Sequence, residues 1–355
     1  ILEATEGARQ VFDKTLALKF APAIKELEGL GYPGISDPKL TITTKVMTSE
    51  TLKHDSAVQY ALSKTDNTLK LPEKYNGLGY QNLISMVFDL MGFRDDWMRE
   101  GKAKDTNTVI EPMHLVLVEE PEAHLHIQVQ QVFIRQAYKV LTNHKFLKQN
   151  LNFTTQLVIS THSSHIAIET TFGNLRYFKR LPEGTECAVA TSKVINLSDV
   201  FGDSDQTNKF VTRYLQSTHC DLFFADAAIL VEGVAESMLL PHFIRSKFPE
   251  LYQRYITILG VNGRHAHRLS PLIEKLCLPT LVITDLDPAE KEGYHKSVVP
   301  KRGEGQISGN YAIAKWLMKE KDIDKLVDYS EDKKEFSFAS PYRFSIRLAY
   351  QTPVK

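Results

Sequence analysis

The chain has 355 residues, 43% of them hydrophobic, with 43 basic and 43 acidic side chains and no formal net charge. That length is too great for one ordinary domain and suits two, each able to bury a core. The balanced charge gives no sign of a polyanion partner at whole-chain level, but it leaves room for local basic patches and so does not exclude DNA.

Cys187, Cys220 and Cys277 are far apart and form no CxxC, so a disulfide scaffold or thiolate zinc site is not expected. A reducing cytoplasm is the natural home for such a chain. No apolar run approaches the ~20 residues of a membrane span, and no signal peptide is visible. The chain opens on Ile1 and closes in the strand-like stretch FSIRLAYQTPVK, which is expected of a fragment of a longer protein.

Residues 1–30 predict a helix, with Phe12, Leu16, Leu18, Phe20, Ile24 and Leu27 at roughly helical spacing. GYPGISDP (31–38) reads as a turn. Residues 39–70 are polar with short alternating pieces, and read as an extended strand or arm region. In MHLVLVEEPEAHLH (113–126) a buried strand, Leu115–Val118, ends in two acids and a proline. A helix follows, with Ile127, Val132, Phe133, Ala137, Val140 and Leu141 on its apolar side. TTQLVISTHSSHIA (154–167) then gives a second apolar strand ending in a polar turn, completing an α/β unit. Residues 170–218 are poorly patterned and read as a connector. The pattern restarts with a strand at 228–231, a helix near 236–246, a strand at 256–260, a helix near 267–276 and a strand at 278–285. This β-α-β-α-β order is a second parallel unit, with the boundary near residue 220.

Sites form at the carboxyl edge of open parallel sheets, where the loops leave a crevice. Glu119 and Glu120 stand at such an edge, and His162 ends the next strand. An acid there can hold a Mg²⁺-bound water, and its neighbour can orient water toward a γ-phosphate. EEPEAHLH resembles the Walker B and D-loop of ABC-type ATPases, ISTHS resembles their switch histidine, and PEKYNGLGYQNLI (72–84) lies where the ABC signature would be. The resemblance implies that Gly77 and Gly79 let backbone amides approach a phosphate across a dimer interface. Glu119 replaces the usual Walker B aspartate. No GxxxxGK[ST] occurs in the chain, so a phosphate loop would have to lie before Ile1. His124 and His126 form an HxH but supply too few ligands for zinc, and read as D-loop residues.

A second set of acids marks the later unit. The stretch AAILVEGVAE runs from an apolar strand into Glu232, Gly233 and Glu236. Gly233 is expected to permit a tight strand-to-helix turn. LVITDLDP places Asp285 and Asp287 at the end of another strand, on one side of an extended chain by alternation. If the two strands are neighbours, four carboxylates converge. Their mutual repulsion raises their pKa values and is relieved by hard cations such as Mg²⁺ or Mn²⁺. Two such ions ~4 Å apart can activate water and stabilise the leaving oxygen of a phosphodiester.

Apolar strand–EGxxE–helix followed by apolar strand–DxD resembles the TOPRIM domain of topoisomerases, primases and certain nucleases. The resemblance implies that Glu232 is a metal ligand or general acid/base, that Asp285 and Asp287 bind metal, and that Glu236 is the second acid of the nuclease branch. The order of an ABC-type ATPase part followed by TOPRIM resembles the overcoming-lysogenization-defect (OLD) family of ATP-dependent endonucleases, which includes Gabija-type and retron-associated antiphage effectors. It implies an α/β fold: an ATPase domain at 1–220, lacking its phosphate loop and bearing a helical and extended arm, then a TOPRIM domain at 221–355. It implies ATP as a ligand, DNA as substrate and dimerisation through the ATPase domain. A protein or nucleic-acid partner in a defence system is also implied.

Ser308 and Asn310, in RGEGQISGNYAIAKWL, stand where further site residues of the family would be, and no catalytic lysine is assigned. Lys291, Lys296, Lys301 and Arg302 follow the DxD, with Arg264 and Arg268 before it, and basic residues flanking a carboxylate site can neutralise phosphates. Nothing suggests sequence-specific base readout. Two other readings stay open. One is a topoisomerase- or primase-like TOPRIM, for which Tyr294, Tyr311 and Tyr342 are available. The other is a non-catalytic DNA-binding ATPase clamp or regulatory subunit.

Overall fold

The computed structural model describes residues 2–29, 39–45, 55–61, 70–72, 77–100, 109–150, 152–181, 189–200, 214–215, 220–261, 265–290, 298–317, 320–339 and 343–352. They form two compact units, Ile1–Glu169 and Thr170–Lys355. No described helix is long and apolar enough to cross a membrane.

The first unit opens with α1 (Leu2–Gly29), which buries Ala23 and Leu27. The strands β1 (Lys39–Lys45), β2 (Asp55–Ala61) and β3 (Lys70–Pro72) form a three-stranded antiparallel sheet in the region read as an arm. Helix α2 (Leu78–Trp97) buries Leu83, Ile84, Val87 and Leu90, a stripe at helical spacing. The parallel pair β4 (Met113–Glu119) and β5 (Thr154–Ser160) is joined by α3 (Ile127–Thr142) and the short α4 (Lys145–Gln149), and α5 (Ser164–Glu169) follows. The core gathers Leu83, Val87, Val116, Phe133, Ala137, Val140 and Leu141. Ile127, expected on the apolar side of α3, is 44% exposed. It is the first residue of the helix, and the core-facing side is covered from Val129 onward.

The second unit begins with an antiparallel hairpin, β6 (Arg176–Leu181) and β7 (Thr191–Asn196), in the poorly patterned segment 170–218 read as a connector. Phe172 and Tyr177 pack against Phe223, with ring centroids 6.3 and 6.4 Å apart. Tyr214 donates to the Gly260 carbonyl at 3.2 Å. These contacts place the hairpin with the later strands, whereas the sequence boundary near 220 falls inside this unit.

Next come β8 (Ala227–Val231), α6 (Val234–Lys247), α7 (Pro249–Tyr252), β9 (Ile256–Gly260), α8 (Ala266–Leu276) and β10 (Thr280–Ile283). A small ladder of β11 (Pro288–Ala289) and β12 (Ile307–Ser308) precedes α9 (Tyr311–Trp316), α10 (Ile323–Val327), β13 (Glu335–Phe338) and β14 (Phe344–Ala349). The main sheet runs β13-β14-β10-β8-β9, parallel except for β13. Its central strands read as apolar runs because both faces are covered; Leu230, Val231, Val282, Ile346 and Leu348 are all buried. Helix α8 contributes Leu269, Leu272, Ile273 and Leu276 to the same core. After β8 the chain goes to β9 on one side, then returns to β10 on the other. The switch in winding therefore opens a crevice at the carboxyl ends of β8 and β10.

Candidate active site

Val231 and Ile283 are register partners at the ends of β8 and β10, so the residues that follow them leave the sheet side by side. Glu232 follows Val231, and its Oε2 accepts a hydrogen bond from the Asp285 backbone N–H at 2.8 Å. Alternation does not carry Asp287 to its place. Its φ is +46°, so the chain has left the extended state and bends at the second aspartate. The acids meet around Asn310 instead. Its Nδ2 lies 3.2 Å from Glu232 Oε1, 3.0 Å from Asp287 Oδ2, 3.0 Å from the Asp285 carbonyl and 2.8 Å from Thr284 Oγ1. Ser308 is buried, and its Oγ accepts from the Asn310 backbone N–H at 3.2 Å.

Gly233 has φ −112° and ψ 162°, ordinary extended backbone, so the expected tight turn is not why glycine is there. A Cβ at this position would collide with Glu236 Oε2, whose carboxylate folds back over the glycine. Glu236 Oε2 is buried without a hydrogen-bond partner. Burial pushes the Asp285 carboxyl above the usual range; the charges of Asp287 and Glu236 push the same way, and a hydrogen bond from Gln351 opposes them.

Among the described residues, the donors here are carboxylate, carbonyl and hydroxyl oxygens, with no thiolate or imidazole. That set suits a hard divalent cation rather than zinc, and the orphaned Glu236 oxygen is a further donor without a proton to accept. Among the described residues, however, no three His, Cys, Asp or Glu side chains stand close enough to hold an ion as placed. Glu236 is turned over Gly233, and the Asn310 amide lies among Glu232, Asp285 and Asp287.

Gln351 was not anticipated. Its Oε1 accepts from the Leu286 N–H at 2.7 Å and its Nε2 donates to Asp285 Oδ1. It sits just past β14, far in sequence from the DxD, and only the sheet order that puts β14 beside β10 reveals it. Lys291, Lys296, Arg264, Tyr294, Tyr342 and Cys187 lie outside the described residues. Lys301 pairs with Glu304 at 3.2 Å, and Arg302 pairs with Asp328, so both expected phosphate contacts are engaged with local acids. Tyr311 is 63% exposed and packs its ring against His267 at 5.6 Å.

In the first unit, Glu119 ends β4 opposite Ser160 of β5. Glu120 follows with φ +44°, its N–H donating to the Ser160 carbonyl at 3.0 Å. Its carboxylate lies 3.3 Å from His162 Nε2, with both side chains largely open to solvent. Glu122, not singled out by sequence, ties the two turns together. Its Oε1 accepts from Thr161 Oγ1 at 2.9 Å and from the His162 N–H at 2.6 Å. Gly77 is the N-cap residue of α2 with open space around it, whereas a Cβ on Gly79 would lie 2.5 Å from the His124 carbonyl. Gly79 thus serves a close approach of α2 to the turn at His124, which itself has φ +63°. His126 is the N-cap residue of α3.

Residues 4–167 match the family described as AAA ATPase domain, and residues 223–287 match the family described as Overcoming lysogenization defect protein-like, TOPRIM domain. Endonuclease GajA of Bacillus cereus (strain HuB5-5) is 31% identical over 272 residues, covering 72% of this chain and 37% of that protein. Endonuclease GajA of Bacillus cereus (strain VD045) is 24% identical over 220 residues, covering 62% of this chain and 33% of that protein. The chain therefore spans about a third of the length of the curated relatives it matches. A solved structure from work titled "Structural biochemistry of ATP-driven dimerization and DNA stimulated activation of SMC ATPases" covers 54% of this chain and 91% of that one. Its identity is 11% and its TM-score 0.28, a likeness too slight to carry an argument.

Proposed function

We propose that this chain, an ATPase domain followed by a TOPRIM domain of the overcoming-lysogenization-defect family, is part of a divalent-metal-dependent DNA endonuclease regulated by ATP. The observation that carries the reading is the meeting of the Glu232 and Asp287 carboxylates and the Asp285 backbone carbonyl around Asn310, at the winding switch between β8 and β10. The two curated relatives named Endonuclease GajA support it.

Glu232, Asp285, Asp287 and Glu236 would hold Mg²⁺ or Mn²⁺. Bound there, such an ion supplies Lewis acidity toward a phosphodiester. Glu232 orients the DxD loop through the Asp285 N–H, and Glu236 adds negative charge at the rim. Lys296, Lys301 and Arg302 are proposed to meet DNA phosphates. For Lys301 and Arg302 this requires exchange of surface ion pairs, which are worth little in water.

In the ATPase domain, Glu119, Glu120 and His162 would face the γ-phosphate end of ATP, and the start of α2 at Gly77 and Gly79 would face the nucleotide of a second copy. ATP binding would then couple dimerisation to DNA access. A place in cytoplasmic antiphage defence, Gabija-type or retron-associated, with a further protein or nucleic-acid component, is part of the same proposal. The motifs alone put the domain limits at 1–220 and 221–355, and the packing favours adding residues 170–220 to the later domain.

The test is cleavage of supercoiled, linear and single-stranded DNA by the full-length protein with Mg²⁺ or Mn²⁺, beside Glu232→Ala and Asp285→Ala. Metal-dependent cutting lost in both variants is expected, with a fall of at least ~10²-fold. Cutting that survives both substitutions would sink the assignment.

A further inference from the structure

The Asn310 carboxamide is used at both ends. Its Oδ1 accepts from the backbone N–H groups of Ala312 at 2.9 Å and Ile313 at 3.4 Å, which caps α9. Its Nδ2 faces four oxygens, two of them on the carboxylates of Glu232 and Asp287. A primary amide has two N–H protons, so those four acceptors compete for two donors. The side chain is 1% exposed, so bulk water serves neither end.

The backbone around Asn310 is fixed from both directions. The Gly309 N–H donates to the Asp287 carbonyl at 2.9 Å, and the Ser308 N–H donates to the Lys321 carbonyl at 2.6 Å. The β11–β12 ladder pairs Pro288, just after the DxD, with Ser308. The amide nitrogen is therefore held at a set point between two anions that would otherwise repel each other. A helix cap alone needs only the Oδ1 end, and Ser or Asp would supply that equally well.

We propose that Asn310 is a positioning residue of the carboxylate centre, holding Glu232 and Asp287 side by side for a divalent cation, separately from its role as helix cap. The proposal rests on the metal-dependent reading above. It extends that reading by giving the amide nitrogen a task that the cap does not require.

Asn310→Ser separates the two tasks, since serine keeps a cap acceptor but cannot reach both carboxylates. In the full-length protein, this variant is expected to fold, with a melting temperature a few degrees below wild type because Glu232 and Asp287 lose their shared donor. Mn²⁺ binding, followed by the electron paramagnetic resonance signal of free Mn²⁺, should weaken about ten- to a hundred-fold, with cleavage falling in step. If the serine variant does not fold, Asn310→Gly, also tolerated at caps, takes its place with the same expectation. Wild-type Mn²⁺ affinity in a folded variant overturns the proposal and leaves Asn310 a cap only. Wild-type protein that binds Mn²⁺ but cuts no DNA sinks the nuclease reading alone, because the titration still reads positioning. Wild-type protein that binds Mn²⁺ no better than Asp285→Ala overturns the positioning role as well.

Discussion

At the scale of single residues, Gly233 shows how a correct position can carry the wrong reason. Glycine between a strand and a helix suggests a strained turn, yet the backbone there is extended and open to any residue. What requires glycine is the Glu236 carboxylate lying where a Cβ would be. The obstacle is the far end of a flexible side chain, so alanine should displace Glu236 rather than break the fold. Gly233→Ala is expected to change stability by less than about 1 kcal/mol, since alanine also lowers the entropy of the unfolded chain. Cleavage should nevertheless fall about tenfold, and this loss should vanish in a Glu236→Ala background, because the two changes act through one side chain. Additive losses in that double-mutant cycle would show that Gly233 acts some other way. The acids Glu232, Asp285 and Asp287 were legible because apolar strands ended on them. Their meeting around an amide was not, since hydrogen-bond partners far apart in sequence leave no local pattern.

At the scale of elements, the parallel strands were legible for a physical reason. Strands covered on both faces must be apolar throughout, and AAILV announces itself that way, whereas LVIS reads as an apolar run although its strand alternates and leaves Val158 exposed. The β6–β7 hairpin did not, because β6 alternates exposed and half-buried positions with Phe178 exposed and Lys179 on the half-buried side, and β7 buries only Ile195, so no apolar run forms. Turns are harder still, as Glu122 shows. It joins the turn after β4 to the turn after β5, placing His162 beside Glu120. Glu122→Ala removes both hydrogen bonds and should cost about 2 kcal/mol, since bonds to a charged acceptor are stronger than neutral ones. For a unit of this size that is a fall of about 5 °C in melting temperature. ATP hydrolysis by the full-length protein should drop with it, because His162 loses its anchor. Glu122→Gln retains an acceptor oxygen and should keep most of the stability. Equal destabilisation by Ala and Gln would mean that the charge, not the hydrogen bonds, holds the turns.

At the scale of the whole molecule, the sequence pattern and the packing draw different boundaries. The recognisable motifs resume at β8, which suggests a domain starting near residue 221. The family matches leave residues 168–222 between them. Packing assigns this segment from Thr170 onward to the later unit. Phe172 is buried beside Phe223, Leu215 and Leu197 are buried, and the Tyr214 hydroxyl bonds the end of β9. A connector would make none of these contacts. Each large apolar side chain covered is worth about 2 kcal/mol, and removing 170–220 uncovers Phe223 on a face that Phe172 and Tyr177 now occupy. A polypeptide of residues 170–355 should therefore withstand chemical denaturation better than one of 221–355, by about 3 kcal/mol after allowing for the ordering of the hairpin. Both retain Glu232, Glu236, Asp285 and Asp287, so Mn²⁺ binding gives an independent check that the shorter piece still folds its sheet. Equal stability would return the boundary to residue 220 and reduce the hairpin to a passenger. The expected difference would make residues 170–220 part of the structure that supports the acids.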